Sequence, residues 1–373
     1  LLQRSSAEEV VWVFKAKEHG RIASSPLVVG DRVYVAAAHQ TGLAAFGILY
    51  CLDREKGREL WRFDDEEGLK PVFSSPCLAG DRLYIGEGFH QDADCKLYCL
   101  DSRTGKKLWH FQTKSHVESS PCVAGGKVFF GAGAEGLYGL DAATGRELWH
   151  FEGLHIDASP AVAGNRLYAG SGAGSRHEAF CLDIDTGKPL WRTVCDLPVW
   201  GSPAIAGGLV IFGLGNGDLV NRANSPAGAV LCLRADSGQR VWRFGVPDAV
   251  LMRPAVDGER VFFGARDRHC YCIGLRDGRL RWKQDLGSAV VAAPALAGSS
   301  LYVAASSGGV SGLDTATGKI RWTFDLAEHS RTRPQIFSSP EIAGSPANRR
   351  LYVGAGLDNL ADWAAVLYCL QIP

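Results

Sequence analysis

Eight tryptophans divide this chain into nearly equal lengths: Trp12, Trp61, Trp109, Trp149, Trp191, Trp242, Trp282 and Trp322 lie 49, 48, 40, 42, 51, 40 and 40 residues apart. A period of that length is an internal repeat, so the chain folds as an array of like modules that bury their apolar faces against one another. The last seven tryptophans each follow a Gly by four positions within one phrase. It runs from Leu52-Asp53 through Gly57 to Trp61, from Leu100-Asp101 through Gly105 to Trp109, and from Leu140-Asp141 through Gly145 to Trp149. It returns as the pairs Gly187 and Trp191, Gly238 and Trp242, Gly278 and Trp282, and Gly318 and Trp322. Between successive phrases stands a Ser-Pro or its variant, then an apolar stretch, a Gly turn and a second apolar stretch, as in Ser75-Pro76 through Gly80 to Gly86. The prolines of this element are Pro26, Pro76, Pro121, Pro160, Pro203, Pro254, Pro294 and Pro340.

Short apolar runs bounded by Gly, Asp and Asn are strand signals, and nothing in the chain keeps a helical period long enough for a stable helix. Each unit therefore reads as four strands: A after the Pro, B at the Leu-Tyr-Ile type run, C at the Leu-Tyr-Cys-Leu type run, and D at the Trp. Four antiparallel strands at this period predict an all-β, eight-bladed β-propeller forming one domain over residues 1–373. Blades are expected at about 21–64, 71–112, 115–152, 155–193, 198–245, 249–284, 288–325 and 335–373. The tail, Val366 to Leu370, is a C strand lacking its D strand, and the head, Val10 to Phe14 within 1–15, is a D strand lacking its blade. Pairing them closes the ring, which removes two exposed sheet edges. In the Asp-x-x-Thr/Lys-Gly turn the Gly accepts positive φ and the Asp can bind local backbone N–H groups. The Trp then covers the neighbouring blade and needs an acceptor for its indole N–H, a packing role and not a cofactor role.

Charge excludes some functions. Forty Lys and Arg balance forty Asp and Glu, so no global field attracts nucleic acid or an anionic membrane. The longest nearly unbroken apolar run, Gly42 to Leu52, falls short of the ~20 residues that cross a bilayer. The chain opens at Leu1 and its only methionine is Met252, from which a removed leader or anchor upstream is expected. A monomer is expected.

The phrase Leu-Asp-x-x-Thr-Gly-x-x-x-Trp, as it stands at 140–149 and 313–322, resembles the PQQ-like repeat of quinoprotein dehydrogenases and their relatives. Those relatives include PQQ-dependent alcohol dehydrogenases, the propeller lipoprotein of the outer-membrane barrel-assembly machinery, and extracytoplasmic sensor domains of bacterial kinases. The resemblance covers nearly the whole chain and implies the propeller fold and a periplasmic or otherwise extracytoplasmic location. It says less about activity, because one scaffold hosts many functions. The dehydrogenases carry an adjacent cysteine pair against the quinone and a calcium site; this chain has no Cys-Cys dipeptide and no Cys-x-x-Cys-His haem motif. PQQ is thus disfavoured, and the resemblance is closer to the non-catalytic barrel-assembly type.

The eleven cysteines are an odd number, so they cannot all pair, and free thiols sit uneasily with an oxidising compartment. Six of them, Cys51, Cys99, Cys181, Cys232, Cys272 and Cys369, share one repeat position on strand C that Gly139 and Gly312 fill elsewhere, which marks a small packed site. Cys77 and Cys122 follow the Pro on strand A, while Cys95, Cys195 and Cys270 stand outside the repeat.

Function is expected where the repeats diverge. A–B and C–D turns are minimal, whereas the B–C and D–A loops vary: 38–46, 87–94, 171–178, 216–228, 357–364, 64–73 and 325–337. Two repeats carry one triplet in one register, His116-Val117-Glu118 and His155-Ile156-Asp157. Alternation on a strand puts both side chains of a triplet on one face, and blades three and four are neighbours, so four groups could converge near the axis on a divalent metal. The alternative is a hydrated, ion-paired funnel wall. Three residues before each Pro come Ala23, Phe73, Glu118, Asp157, Trp200, Leu251, Val291 and Phe337, and Arg253 replaces the usual Ser just before its Pro. Trp200, Arg253, Phe73 and Phe337 are the candidate ligand-binding residues, with Arg222 and also Arg266, Asp267 and Arg268 at the rim. Two functions fit: a non-catalytic scaffold that binds a protein or small molecule on the variable face, or a metal- or quinone-dependent oxidoreductase using the His and acid funnel.

Overall fold

A computed structural model of the protein describes residues 9–41, 44–172, 174–217, 221–330, 333–358 and 364–373. Blade 3 gives the pattern, with strand A at Cys122–Ala124, B at Lys127–Gly131, C at Leu137–Asp141 and D at Glu147–Phe151, each antiparallel to the next. Six such four-stranded sheets stand alone, and a ten-stranded sheet combines blades 8 and 1. The join is made by Gly20–Arg21, which pairs with Ala38 and His39 of blade 1 on one side and with Gly356 of blade 8 on the other. A short 3₁₀ turn spans Leu326–Glu328.

The ring closes through its ends. Val10–Lys15 pairs with Ala364–Gln371 in the register Trp12 to Cys369, Val13 to Tyr368 and Phe14 to Leu367, completing blade 8 as its D strand. This is the eight-bladed, terminally closed propeller that the repeat predicts.

Pairing register explains the cysteine position. Cys99 lies opposite Tyr84 of strand B and Trp109 of strand D. Cys51 likewise lies between Tyr34 and Trp61. A side chain flanked on its own sheet by two large rings must be small, and Cys fills that gap as a fully buried apolar group. At Gly139 even a Cβ would stand 2.3 Å from the Trp149 ring, so nothing larger than hydrogen fits.

The tryptophans hold blade to blade. Trp149 donates from its indole nitrogen to the carbonyl of Ile184 in blade 4 at 3.0 Å, and its ring covers Gly187, where a Cβ would meet it at 2.6 Å. Gly187 has φ +67°, so the same residue satisfies both the turn and the close approach. Trp12, Trp191, Trp242 and Trp282 repeat the indole bond to Arg54, Ala235, Leu275 and Thr315. Trp322 meets the seam of the ring, where no such turn exists, and its indole instead donates to the Glu9 carboxylate at 3.0 Å.

One expected loop differs. Segment 38–46 is largely strand: B of blade 1 runs Arg32–Thr41 and C resumes at Ala44–Asp53, paired down to Thr41 and Ala44. The segment diverges from the other blades by lengthening the hairpin: Ala38 pairs with Gly47, His39 with Phe46 and Gln40 with Ala45, so the ladder continues where a loop is expected. Within the expected loop at 357–364, Leu357–Asp358 continue strand B, Ala364 opens strand C, and 359–363 lie outside the described residues.

Candidate functional site

The eight A strands surround the axis, and where the chain enters them the ring opens into a cavity of about 430 Å³. Its wall is built from the residues just before each repeat Pro. Ala23, Phe73, Glu118, Asp157, Trp200, Leu251 and Phe337 all line it, as do Ser25, Ser75, Ser120, Ser159, Ser202, Arg253, Ala293 and Ser339. Val291, the eighth residue of the first set, is buried beneath the wall with Leu251 and Ala249. A second cavity, also about 430 Å³, touches Arg253 and Ala293 from the side of Pro254, Pro294 and Leu296, so Arg253 borders both.

Two layers of serine hydroxyls hold this wall, a device that the sequence analysis did not read. In the outer layer the backbone N–H of one blade donates to the serine hydroxyl of the next: Ser25 to Ser75 at 2.8 Å, Ser75 to Ser120 at 2.9 Å and Ser120 to Ser159 at 2.8 Å. Ala293 to Ser339 and Ser339 to Ser25 continue it across the seam. Among the described residues the chain of bonds is interrupted from Ser159 to Ala293: Ser159 makes no such bond to Ser202, and Arg253 and Ala293 have no hydroxyl to offer. In the inner layer the preceding serine clamps strand B of its own blade; Ser119 donates to the Gly131 carbonyl at 2.8 Å and accepts from its N–H at 2.7 Å. The recurring Ser-Ser-Pro was the available signal.

The His and acid triplets meet at the boundary of blades 3 and 4. His116 Nε2 lies 2.9 Å and His155 Nε2 3.1 Å from the same atom, Asp157 Oδ1, and these three donor atoms fall within 4.8 Å of one another. Glu118 stands apart from that trio. Its Oε1 is 3.7 Å from His116 Nε2 and 2.8 Å from His90 Nδ1, and it also accepts the His90 backbone N–H. His90 is the partner sequence reasoning missed, because it sits in a B–C loop outside the repeat register. It stacks on Phe89, which stacks in turn on Phe73 at 4.1 Å between centroids.

Electrostatics follow from burial. Only 2% of the His116 side chain and 6% of the Asp157 side chain reach solvent. Burial alone would raise the pKa of Asp157, but the hydrogen bonds from His116 and His155 outweigh it and hold the carboxyl down at about 2. Asp157 correspondingly raises that of His155, chiefly through the hydrogen bond and against partial desolvation.

The opposite wall is apolar. Trp200, Phe337 and Ala289 pack on the cluster of Ala249, Leu251 and Val291. The Trp200 indole donates to the Gly215 carbonyl at 3.0 Å, and its ring lies over Gly172, which leaves it anchored at the cavity edge. Arg253 is exposed there, with no ion pair among the described residues. At the rim, Arg222 pairs with the fully buried Asp248 at 2.6 Å, and Arg268 pairs with Asp285 at 2.5 Å. Asp267 accepts from Tyr271 Oη, which ties it to blade 6. Arg222 and Arg268 thus tie their B–C loops to the end of strand D in the same blade, and neither they nor Asp267 line the axial cavity.

Eight four-stranded blades closed by the N-terminal strand around a central cavity define a β-propeller. The family model PQQ_2, described as "Outer membrane protein assembly factor BamB", matches residues 4–88, 45–174, 152–223 and 226–360, and the chain belongs to this family. Solved structures agree in fold: BamB from Moraxella catarrhalis is 17% identical with a TM-score of 0.71, covering 100% of this chain and 98% of its own. The computationally designed Ika8 protein superposes with a TM-score of 0.75 at 15% identity over 98% of this chain and 100% of that one. The quinohemoprotein alcohol dehydrogenase from Comamonas testosteroni gives 0.72 at 14% identity over 99% of this chain and 78% of that one. No curated protein matches. No helix among the described residues is long and apolar enough to cross a membrane.

Proposed function

We propose that this propeller is a non-catalytic, extracytoplasmic scaffold that binds a protein segment or small ligand at the mouth of its axial cavity. The observation that carries the reading is the divided wall: Phe73, with Phe89 stacked on it, Trp200, Leu251 and Phe337 offer apolar area, while Arg253, Glu118 and Asp157 line the same cavity with charged groups. Apolar walls with a few placed charges suit a peptide end or a small amphipathic molecule. Membership of a family described by an outer-membrane assembly factor supports a protein partner and an extracytoplasmic location.

The free thiols are compatible with that location. Nine of the eleven cysteines are buried, and burial pushes Cys51 up to about 11 and Cys99, Cys232 and Cys369 up to about 12. A thiol that neither ionises nor meets solvent resists oxidation.

Photoreactive phenylalanine analogues placed at Phe89 and, as a control on the opposite face, at Thr144 test the reading in intact cells. Adducts from Phe89 and none from Thr144 are expected; equal labelling from both, or none, overturns it. The second reading, a metal-dependent oxidoreductase, is favoured by the His116, His155 and Asp157 trio. It requires turnover of a substrate by the purified protein that a chelator abolishes.

A further inference from the structure

We infer that His116 Nε2, His155 Nε2 and Asp157 Oδ1 form a binding site for one divalent ion of the zinc class, with a coordination position left open toward the cavity. The inference deepens the scaffold reading, since it places the ion in the wall of the same cavity. Two imidazoles and a carboxylate are the donor set that zinc, cobalt and nickel take up, whereas magnesium and calcium prefer oxygen alone. Both Nε2 atoms already point at one carboxylate oxygen, so little side-chain movement separates the present arrangement from three ligands around a common centre. Asp157 lines the cavity and His155 is about a quarter exposed, which gives an ion both a path in and an open side.

The site is built and not incidental. Gly133, at φ +48°, lies so close that a Cβ there would stand 2.7 Å from His116 Nε2, so blade 3 backs the ring with bare backbone. Gly133 also forms a two-bond bridge with Ile156, the residue between His155 and Asp157, at 2.9 and 3.2 Å. One glycine therefore fixes one ligand by contact and the other two by register. Ser115 Oγ sits 3.4 Å from His116 Nδ1, in place to orient the ring from behind. Glu118, tied to His90, brings a second carboxylate beside the trio. Two carboxylate groups in a nearly dry corner favour a doubly charged ion there. Neither histidine has a counterpart in the other blades, where the same register reads Arg21, Pro71, Pro198, Ala249, Ala289 and Gln335.

The test is calorimetric titration of chelator-stripped protein with Zn²⁺, with Mg²⁺ and Ca²⁺ as controls, alongside the visible ligand-field spectrum with Co²⁺. One Zn²⁺ per chain is expected, bound at least ~100-fold more tightly than Mg²⁺, with affinity lost by ~100-fold or more in His155→Ala and Asp157→Asn. His155 is the safer variant because its side chain is the most exposed of the three. Near-ultraviolet circular dichroism checks that each variant is folded; if neither is, the stoichiometry and Co²⁺ spectrum of the parent decide. Zn²⁺ binding no tighter than Mg²⁺, a Co²⁺ spectrum like that of the free aqueous ion, or unchanged affinity in folded variants overturns the site. The two readings fail separately. Phe89 adducts that persist without any Zn²⁺ binding remove only the metal, whereas Zn²⁺ binding without adducts removes only the scaffold.

Discussion

The two faces of this ring obey different rules. On the face of the C–D turns four blades repeat one device: Asp141 accepts from the Thr144 hydroxyl and amide, and Asp101, Asp183 and Asp314 do the same for Thr104, Thr186 and Thr317. On the face of the cavity no two blades agree at the position three residues before the Pro except the phenylalanines 73 and 337. Repetition serves stability, because identical interfaces close a ring only if each fits the next. Divergence serves recognition, because a site needs different chemistry on different sides.

That contrast can be broken by substitution. The largest effect is expected from Trp149→Ala, which empties an inter-blade contact and strands the Ile184 carbonyl; a loss of ~3–5 kcal/mol should appear in denaturant unfolding. Trp200→Ala is the matched change on the cavity face and should cost clearly less stability while removing the Phe89 adducts. If the two tryptophans cost the same, the division of labour is wrong. Ser119→Ala comes next, at ~1–3 kcal/mol, because it leaves buried backbone groups of Gly131 without their partner.

Glu341 supplies the pH test. It stands just after Pro340 on strand A of blade 8, and burial alone pushes its carboxyl up to about 7. The folded protein thus keeps a proton that the unfolded chain releases near pH 4, so stability should fall as pH rises from ~4 to ~7. Glu341→Gln abolishes that slope and should melt higher than the parent at pH 8, by of the order of 1 kcal/mol once partial solvent screening is allowed for. A parallel pair of pH profiles would show that the carboxyl is ordinary.

The smallest effect sharpens the contrast most. Arg253→Ser combined with Ala293→Ser restores hydroxyls where the ring of serine bonds is broken, and should stabilise by ~0.5–1.5 kcal/mol. A melting temperature that rises while adduct formation falls would mean that Arg253 is kept for recognition at a cost in stability. A falling melting temperature would mean that the arginine is structural.

Much of this protein follows from periodicity alone. The Trp and Gly spacing determines the blade count, the partner of each Trp and the pairing of head with tail, because a ring of like modules has one way to bury both its edges. The Cys and Gly alternation on strand C was readable as a small site, although only the register shows that it lies between an aromatic ring of strand B and the Trp of strand D. The cavity wall was readable as a set, since the Pro marks its register. Its internal geometry was not. That Glu118 turns to His90 while Asp157 joins both histidines depends on a loop outside the repeat and on the bridge from Gly133 to Ile156, contacts between residues distant in sequence. Likewise the hydroxyl ring and its gap at Arg253 exist only once eight A strands stand side by side. Local pattern decides which residues face the axis; only closure decides which of them touch.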